Sequence, residues 1–293
     1  MNEIISLYKA FNHIKYVDQD HKYICNNEFY TSVTGLLGSL KTPFDTQFWR
    51  VYKSLEYSGY KVKDNRNGTI TVNGETTINP YFNDLSEFIL TVTPDDITKQ
   101  WALTNKLGKT RGSALHNMLE DKLKRKELSY EIPFFVKYMS TLETIKYIKS
   151  IEILENLANE FVKLIQDKYV VIAQEFVVGD SDYKLAGTFD LLLFNLETNK
   201  YELWDFKTDK KFDKSGLNKI SYFGVDDCEH NKYSLQLGLY KHMIEKNTDL
   251  QIYKCVVAHF NYKKNEFKII DCINYDDEIK QYLTDGYNKP TCF

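Results

Sequence analysis

Apolar residues recur every three or four positions through the middle of the chain, the period of an α-helix with one buried face. Leu115 and Leu119 follow this spacing and predict a helix over about residues 112–126. A helical stretch begins earlier, at Thr93-Pro94-Asp95-Asp96. There a threonine cap, a proline in the first turn and two acids are typical of a helix N-terminus. Helices are therefore expected from about residue 93 to residue 167.

After residue 168 the hydrophobic period changes to two, the period of a strand with two different faces. Turn-forming residues separate three such runs and predict an antiparallel meander over residues 169–178, 183–195 and 200–207. A helix, two strands and a short helix are then expected at about residues 232–246, 251–261, 266–272 and 275–285. This order of elements predicts a mixed α/β core between about residues 100 and 275.

Two further features are predicted before the helical stretch. The Asn26-Asn27 pair predicts a hairpin, after which Ser32 or Thr34 caps a helix. A small β insertion is predicted over residues 60–80, because Asn-Gly pairs flank a run of alternating residues there. Such pairs are the strongest short-range hairpin signal in a sequence.

Length and composition fit a globular protein with one large core. The chain has 293 residues, of which 43% are hydrophobic and 27% charged, a composition that excludes a disordered chain. We predict an N-terminal elaboration with the β-hairpin insertion over residues 1–99 and a core domain over residues 100–293. No run approaches the about 18 consecutive apolar residues of a membrane span, and the first residues do not resemble a signal peptide. A cytoplasmic location is expected.

Cysteine usage and charge exclude several kinds of site. The five cysteines are widely spaced and never form a Cys-x-x-Cys pair, so neither a disulfide framework nor a zinc or iron-sulfur site is predicted. The net charge is −3, from 38 basic and 41 acidic residues. A nucleic-acid partner would therefore have to be bound by a local basic patch rather than by a global positive field.

Two aspartates interrupt neighbouring apolar strands of the predicted meander. Asp190 lies within the second strand and Asp205 within the third. Burial of a carboxylate without a partner is costly, which makes a bound cation an economical explanation. Asp205 and Lys207 are two residues apart on one strand, so their side chains share a face. Carboxylates that bind Mg²⁺ or Mn²⁺ beside an ammonium group suit the hydrolysis of phosphodiester bonds.

Five short motifs follow one another between about residues 100 and 260. They read Gly112-x-x-x-His116-x-x-x-Glu120, a strand glutamate at Glu175, Gly187-Thr-Phe-Asp190, Asp205-Phe-Lys207-Thr208 and Gln236-Leu-Gly-Leu-Tyr240. In this order they resemble the motifs of the PD-(D/E)xK nuclease superfamily and, within it, of the RecB-like exonuclease branch. The branch includes phage-encoded RecB-like exonucleases and the mitochondrial genome maintenance exonuclease, to which the chain is similar.

The resemblance implies the restriction-endonuclease-like α/β fold of that superfamily, with a mixed central sheet flanked by helices. It implies one or two Mg²⁺ or Mn²⁺ ions, held by His116, Asp190 and Asp205. The catalytic residues that it implies are Asp190, Asp205, Lys207, Glu175, Gln236 and Tyr240. An iron-sulfur cluster is not expected, because the chain departs from the cysteine pattern of the branch members that carry one.

The implied activity is metal-dependent hydrolysis of DNA, on single strands or strand ends, in replication, recombination or repair. The residues expected to contact DNA are Arg111, Lys210, Lys211, Gln236 and Tyr240. An endonuclease or an RNase on the same core, and a DNA-binding protein that no longer cleaves, are the alternatives. The sequence leaves the cleavage polarity, the oligomeric state and any protein partner open.

Overall fold

The computed structural model describes residues 2–17, 22–82, 84–124, 133, 136, 139–208, 212–216 and 218–287. Its helices are α1 (Asn2–Phe11), α2 (Val33–Ser39), α3 (Thr46–Tyr57), α4 (Pro94–Leu123), α5 (Thr141–Lys168), α6 (Glu229–Asn247) and α7 (Asp276–Gln281), followed by a π-helical turn at Tyr282–Gly286. Its strands are β1 (Ile14–Val17), β2 (Lys22–Cys25), β3 (Glu28–Ser32), β4 (Val62–Asp64), β5 (Ile70–Val72), β6 (Thr76–Ile78), β7 (Tyr169–Asp180), β8 (Leu185–Asn195), β9 (Lys200–Lys207), β10 (Ile252–Asn261) and β11 (Glu266–Asp271).

A mixed sheet of eight strands forms the larger of two compact units, which comprises residues 1–42 and 110–293. The strand order is β1-β2-β3-β8-β9-β10-β11, and β7 pairs with β8 outside this path. The β3–β8 and β9–β10 pairs are parallel, and the other pairs are antiparallel. Helices flank this sheet, so the mixed α/β fold class predicted from the sequence is confirmed.

Helices cover both faces of the sheet at the strands that form the meander. The ring of Phe161 on α5 lies 5.5 Å from Phe206 and 5.4 Å from Phe260, centroid to centroid. Leu203 has the opposite parity on β9 and is buried in one cluster with Leu239 of α6. Alternate residues of a strand point to opposite faces, so α5 and α6 lie on opposite faces of the sheet.

The second compact unit, residues 43–109, has its own apolar core. Strands β4, β5 and β6 form an antiparallel sheet, which confirms the β insertion predicted over residues 60–80. Its buried cluster includes Phe48, Leu55 and Ile70. The sequence-based boundary at residue 99 stays a prediction.

Two local predictions near the N-terminus are confirmed. Asn26 and Asn27 have φ of 49° and 63°, the positive values that a type I′ hairpin turn requires, and they connect β2 to β3. Ser32, rather than Thr34, caps α2, because its Oγ accepts a 3.0 Å hydrogen bond from Gly35 N.

The helix predicted over residues 112–126 is part of a longer one. Helix α4 begins at Pro94, where Asp96 N donates a 3.2 Å hydrogen bond to Thr93 Oγ1, and it runs unbroken to Leu123. The predicted helix start is therefore confirmed, whereas the separate start at residue 112 was wrong. No helix in the part of the chain that the structure describes is long and apolar enough to cross a membrane.

Candidate metal and active site

The candidate site lies where strands β8 and β9 separate. These strands pair only from Leu191–Trp204 to Asn195–Lys200. The first residues of β8 pair instead with β3, while β7 follows the other edge of β8. A strand has two edges, so β3 and β9 share one edge of β8, and a gap opens between them. Asp190 and Asp205 lie one position beyond the Leu191–Trp204 pair, where the pairing ends, and therefore stand at this fork.

Asp190 bridges the fork through its carboxylate. Its Oδ2 accepts a 2.5 Å hydrogen bond from the main-chain amide of Phe206 on β9. Its Oδ1 lies 3.6 Å from Nδ1 of His116. The side chain is almost fully buried, with 7% of the residue exposed. The sequence-based expectation of two aspartates on neighbouring strands near the sheet is met by this arrangement.

His116 reaches the fork from α4. Leu115 and Leu119 of the same helix are fully buried, which fixes the helix against the rest of the unit. His116 Nδ1 lies 3.2 Å from Glu175 Oε1, and His116 Nε2 lies 3.2 Å from the main-chain oxygen of Phe206. Both ring nitrogens therefore face oxygen atoms, the arrangement that favours a protonated imidazolium in this structure.

Glu175 joins the site because of the pairing between β7 and β8. Gln174 pairs with Leu191 and Phe176 pairs with Phe189, so Glu175 lies opposite Asp190. Its φ is +44°, in the left-handed region that a residue with a side chain adopts at a cost of about 1–3 kcal/mol. Such strain concentrates at functional sites.

A second set of contacts surrounds Asp205. Its Oδ2 forms an ion pair with Lys207 Nζ, and its Oδ1 accepts a 3.2 Å hydrogen bond from Gln236 Nε2. Gln236 Nε2 also lies 3.5 Å from the hydroxyl oxygen of Tyr240. Lys207 Nζ lies 3.3 Å from the Phe206 carbonyl oxygen, to which it donates. Helix α6 thus supports the carboxylate and ammonium groups of β9.

Gly187 explains how Tyr240 comes so close to the sheet. A Cβ atom at residue 187 would lie only 2.8 Å from Cζ of the Tyr240 ring. Atoms at that separation overlap, so a glycine is required for the ring to occupy its place. The glycine of the Gly187-x-x-Asp190 motif therefore has a packing role, independent of any catalytic role.

Three groups of the site have raised pKa values, His116 because of its acidic neighbours and the two aspartates because of burial. Burial lowers the pKa of His116, but the charge of Asp190 and the hydrogen bond and charge of Glu175 outweigh burial and raise this pKa from 6.5 to about 9. Burial raises the pKa of Asp190, against the charges of His116 and Lys207. Burial also raises the pKa of Asp205 to about 6, although the charge of Lys207 opposes this shift. His116 and Lys207 are thus the positive charges beside three carboxylates.

The donor atoms of the site fit a divalent cation. His116, Glu175 and Asp190 each offer a ligand atom, and these atoms all lie within 4.8 Å of one another. Carboxylate oxygens suit Mg²⁺ and Mn²⁺, and an imidazole nitrogen also suits a transition metal. Asp205 Oδ2 is buried and accepts no hydrogen bond of normal geometry, although Lys207 forms an ion pair with it. An additional positive charge at this site would therefore find ligands already in place.

This candidate cation-binding group differs from the ligand set that the family resemblance implied. Glu175, expected only as a catalytic residue, belongs to the group with His116 and Asp190, whereas Asp205 does not. The carboxylate of Asp205 is held by Lys207 and Gln236 instead. Binding of a cation by Asp205 stays a prediction.

Other residues singled out in the sequence lie elsewhere or cannot be placed. Nε of Arg111 donates a 2.9 Å hydrogen bond to Ser150 Oγ, and Cζ of Arg111 lies 4.8 Å from the ring centre of Tyr262. The contact of Arg111 with DNA stays a prediction. Glu120 forms an ion pair with Lys124. The predicted DNA-binding residues Lys210 and Lys211 lie outside the described residues.

Tyr23 is a neighbour of the site that sequence reasoning missed. Its hydroxyl oxygen lies 2.9 Å from Thr188 Oγ1, within the Gly187-x-x-Asp190 motif. Burial raises the pKa of Tyr23, and the charge of Glu175 adds to this effect. No local signal marks Tyr23, because it reaches the site only through the pairing of the N-terminal hairpin with β8.

A comparison with curated proteins finds no match to this chain. A comparison with protein families does find one. Residues 95–284, which are more than half of the chain and contain every residue of the fork, match the family model described as the PD-(D/E)XK nuclease superfamily. Since this range also carries the histidine, the acids and the lysine brought together between β8 and β9, the chain belongs to the PD-(D/E)XK nuclease superfamily.

Proposed function

We propose that the protein is a metal-dependent exonuclease of the RecB-like branch, which hydrolyses phosphodiester bonds of single-stranded DNA or of DNA ends. We further propose that it is phage-encoded and acts in the cytoplasm, in DNA replication, recombination or repair. Membership of the nuclease superfamily implies a phosphodiesterase with a nucleic-acid substrate. The order of the five motifs supports the narrower assignment to the branch.

One observation supports the proposal most directly: three candidate cation ligands lie next to an ammonium group at the fork. His116, Glu175 and Asp190 offer ligand atoms within 4.8 Å of one another. The Phe206 carbonyl oxygen connects them to Lys207, since it lies 3.2 Å from His116 Nε2 and 3.3 Å from Lys207 Nζ. A phosphodiester bound at the fork would contact two positive charges, the bound cation and the ammonium group of Lys207.

The residues of the fork divide into ligands and supports. We expect His116, Glu175 and Asp190 to hold Mg²⁺ or Mn²⁺, with Asp205 as a further ligand. When bound, such a cation polarises the phosphate and lowers the pKa of a coordinated water molecule. The main-chain amide of Phe206 fixes the orientation of Asp190 through a 2.5 Å hydrogen bond.

Lys207 is expected to act on the phosphate directly. Its ammonium group lies beside Asp205 and 4.8 Å from the centre of the Tyr233 ring, so it is held between a carboxylate and an aromatic face. Negative charge grows on the phosphate oxygens as the nucleophile attacks, and a fixed ammonium stabilises this charge more than that of the ground state. Gln236 and Tyr240 act as positioning residues, because they hold Asp205 in place from α6.

Digestion of end-labelled linear DNA, circular single-stranded DNA and RNA of the same sequence tests the proposal. With Mg²⁺ or Mn²⁺ we expect the linear DNA to shorten from an end, while the circle and the RNA stay intact. Comparison of 5′ and 3′ labels gives the polarity. The Asp190→Asn variant and an excess of EDTA serve as controls, and neither reaction should release nucleotides.

Each other outcome selects a different function. Cleavage of circles would identify an endonuclease, and faster cleavage of RNA would identify a ribonuclease on the same fold. Binding of DNA without cleavage by the wild-type protein in either metal would identify a nuclease-fold DNA-binding protein. Any of these results would overturn the exonuclease proposal.

A further inference from the structure

A basic groove lies on strands β10 and β11 and on Phe212 and Lys214, beside the proposed active site. Its volume is about 670 Å³. Its lining contains four lysines and one glutamate, namely Lys214, Lys263, Lys264, Lys268 and Glu266. The whole chain has a net charge of −3, so this concentration of positive charge is local.

The register of the sheet connects the groove to the site. His259 on β10 lies opposite Lys207 on β9, and Lys268 on β11 lies opposite His259. Residues in register point to the same face of a sheet, so these three side chains form a row across three strands. Neighbouring strands are about 4.8 Å apart, which places Lys268 about 10 Å from Lys207 along this row.

The position of the two lysines at the β10–β11 turn is fixed by an asparagine. Asn261 Oδ1 accepts hydrogen bonds of 3.1 Å from the main-chain amides of both Lys263 and Lys264. An Asx turn of this kind shapes the backbone without using the lysine side chains. Both lysines are exposed and line the groove.

A row of aromatic rings connects the site to the groove. The Phe212 ring lies 5.3 Å from the ring of His259 and 6.0 Å from that of Tyr233. The Tyr233 ring in turn lies 4.8 Å from Lys207 Nζ. Half-buried Phe212 lines the groove together with the lysines. Tyr233 and His259 are buried, so Phe212 is the ring of these three that offers a face to a base. An aromatic face beside positive charge is typical of surfaces that bind single-stranded nucleic acid.

We propose that this groove binds the backbone of single-stranded DNA about three nucleotides away from the bond that is cleaved. The inference rests on the proposed function and adds to it the path of the substrate strand. Stacked nucleotides advance about 3.4 Å each along a strand, so the row from Lys207 to Lys268 spans about three of them. Lys263, Lys264 and Lys268 contact phosphates, and Phe212 stacks on a base.

The one acidic group that lines the groove does not block this role. Glu266 Oε1 lies 3.3 Å from Lys268 Nζ, and the side chains are 40% and 58% exposed, respectively. Solvent-accessible ion pairs contribute little to stability, so a phosphate can replace the glutamate as the partner of Lys268 at little cost.

The test uses the triple variant Lys263→Gln/Lys264→Gln/Lys268→Gln of the full chain. Affinity for a fluorescent 20-nucleotide oligothymidylate is measured by anisotropy in Ca²⁺ between 50 and 200 mM salt. Each lost phosphate contact lowers the slope of log K against log salt by about 0.7 for a single strand, so the slope should fall by about 2. The cleavage rate at saturating DNA should stay unchanged, because the groove is remote from the reacting phosphate.

Two matched variants make the result specific. The variant Lys146→Gln/Lys149→Gln/Lys163→Gln removes three exposed lysines from α5, on the opposite face of the sheet, and should bind DNA as the wild type does. The variant Lys263→Arg/Lys264→Arg/Lys268→Arg keeps the charge and should keep the salt slope. An unchanged slope in the glutamine variant of the groove, or an equal loss in the α5 variant, would overturn the proposal.

Failure of the groove and failure of the proposed function give different results. If the wild type cleaves DNA and the groove variant binds as tightly as the wild type, the exonuclease proposal stands and the groove proposal is wrong. If the wild type cleaves nothing, yet the groove variant loses about two units of salt slope, the groove stands as a DNA-binding surface without the exonuclease activity.

Discussion

The carboxylate of Asp190 accepts a 2.5 Å hydrogen bond from the main-chain amide of Phe206, so a side chain takes the place of a ladder partner between β8 and β9. The two strands are thereby connected at the point where their pairing ends. The same peptide segment offers the Phe206 carbonyl oxygen to His116 and Lys207. The site is therefore built around the main chain of Phe206, while the side chain of Phe206 packs against Phe161 of α5.

Asp190→Asn should reduce cleavage by at least about 10²–10³-fold, because a carboxylate that we propose as a ligand of the cation becomes a neutral amide. Burial raises the pKa of Asp190, so the ionised carboxylate carries a desolvation cost that asparagine lacks. The metal-free variant should therefore melt no lower than the wild type. Single-turnover assays, titration calorimetry with Mn²⁺ and thermal melts measure these effects.

The control for this variant is Asp167→Asn, at an exposed position of α5. It should leave both cleavage and Mn²⁺ affinity unchanged. Wild-type turnover in Asp190→Asn would remove Asp190 from the catalytic residues.

Binding of Mn²⁺ should become tighter as the pH rises from 7 to about 9. The pKa of His116 is raised from 6.5 to about 9 in the folded protein, so the imidazole is protonated at neutral pH and must lose its proton to bind a cation. The same shift stabilises the metal-free protein fully below pH 6.5, and this contribution is lost as the pH rises through 9. Calorimetry in two buffers of different ionisation enthalpy counts the released protons.

In His116→Gln the proton released between pH 7 and 9 should disappear, and cleavage should fall by about 10²-fold if His116 is a ligand. Equal proton release by the variant and the wild type would show that another group titrates. A loss of thermal stability with normal turnover would assign His116 a structural role instead.

Lys207→Ala should lower the single-turnover rate at saturating DNA by about 10²–10³-fold, the effect of removing one fixed electrostatic donor. Affinity for DNA in Ca²⁺ should change much less, because the stabilisation is greatest in the transition state. An unchanged rate with a salt slope reduced by about 0.7 would make Lys207 a DNA-binding residue rather than a catalytic one.

Gly187→Ala should destabilise the protein by about 1–3 kcal/mol, since the new Cβ would lie 2.8 Å from Cζ of Tyr240. Urea unfolding measures this change. Gly108→Ala is the matched control, because a Cβ at that position of α4 meets no atom within 4 Å and should stabilise the helix by about 1 kcal/mol. In Gly187→Ala/Tyr240→Ala the two effects should be less than additive, because the clash is gone. Additive effects would contradict the contact.

The sequence by itself determined the elements whose signals are local. Positive φ values at Asn26 and Asn27 follow from the tolerance of asparagine for left-handed backbone, and the start of α4 follows from its capping residues. The parity of β9 placed Asp205 and Lys207 on one face, because alternate residues of any strand share a face. These features depend on neighbours a few residues away, so the sequence shows them directly.

Only the tertiary structure decided how these elements form a site. The fork at Asp190 exists because β3, more than 150 residues earlier in the chain, takes part of the edge of β8. The positive φ of Glu175 places its carboxylate 3.2 Å from His116, although a glutamate in an alternating strand is equally compatible with a solvent-facing position. Such pairings are chosen by the burial of whole faces and by closure of long loops, and no short segment of sequence carries that information.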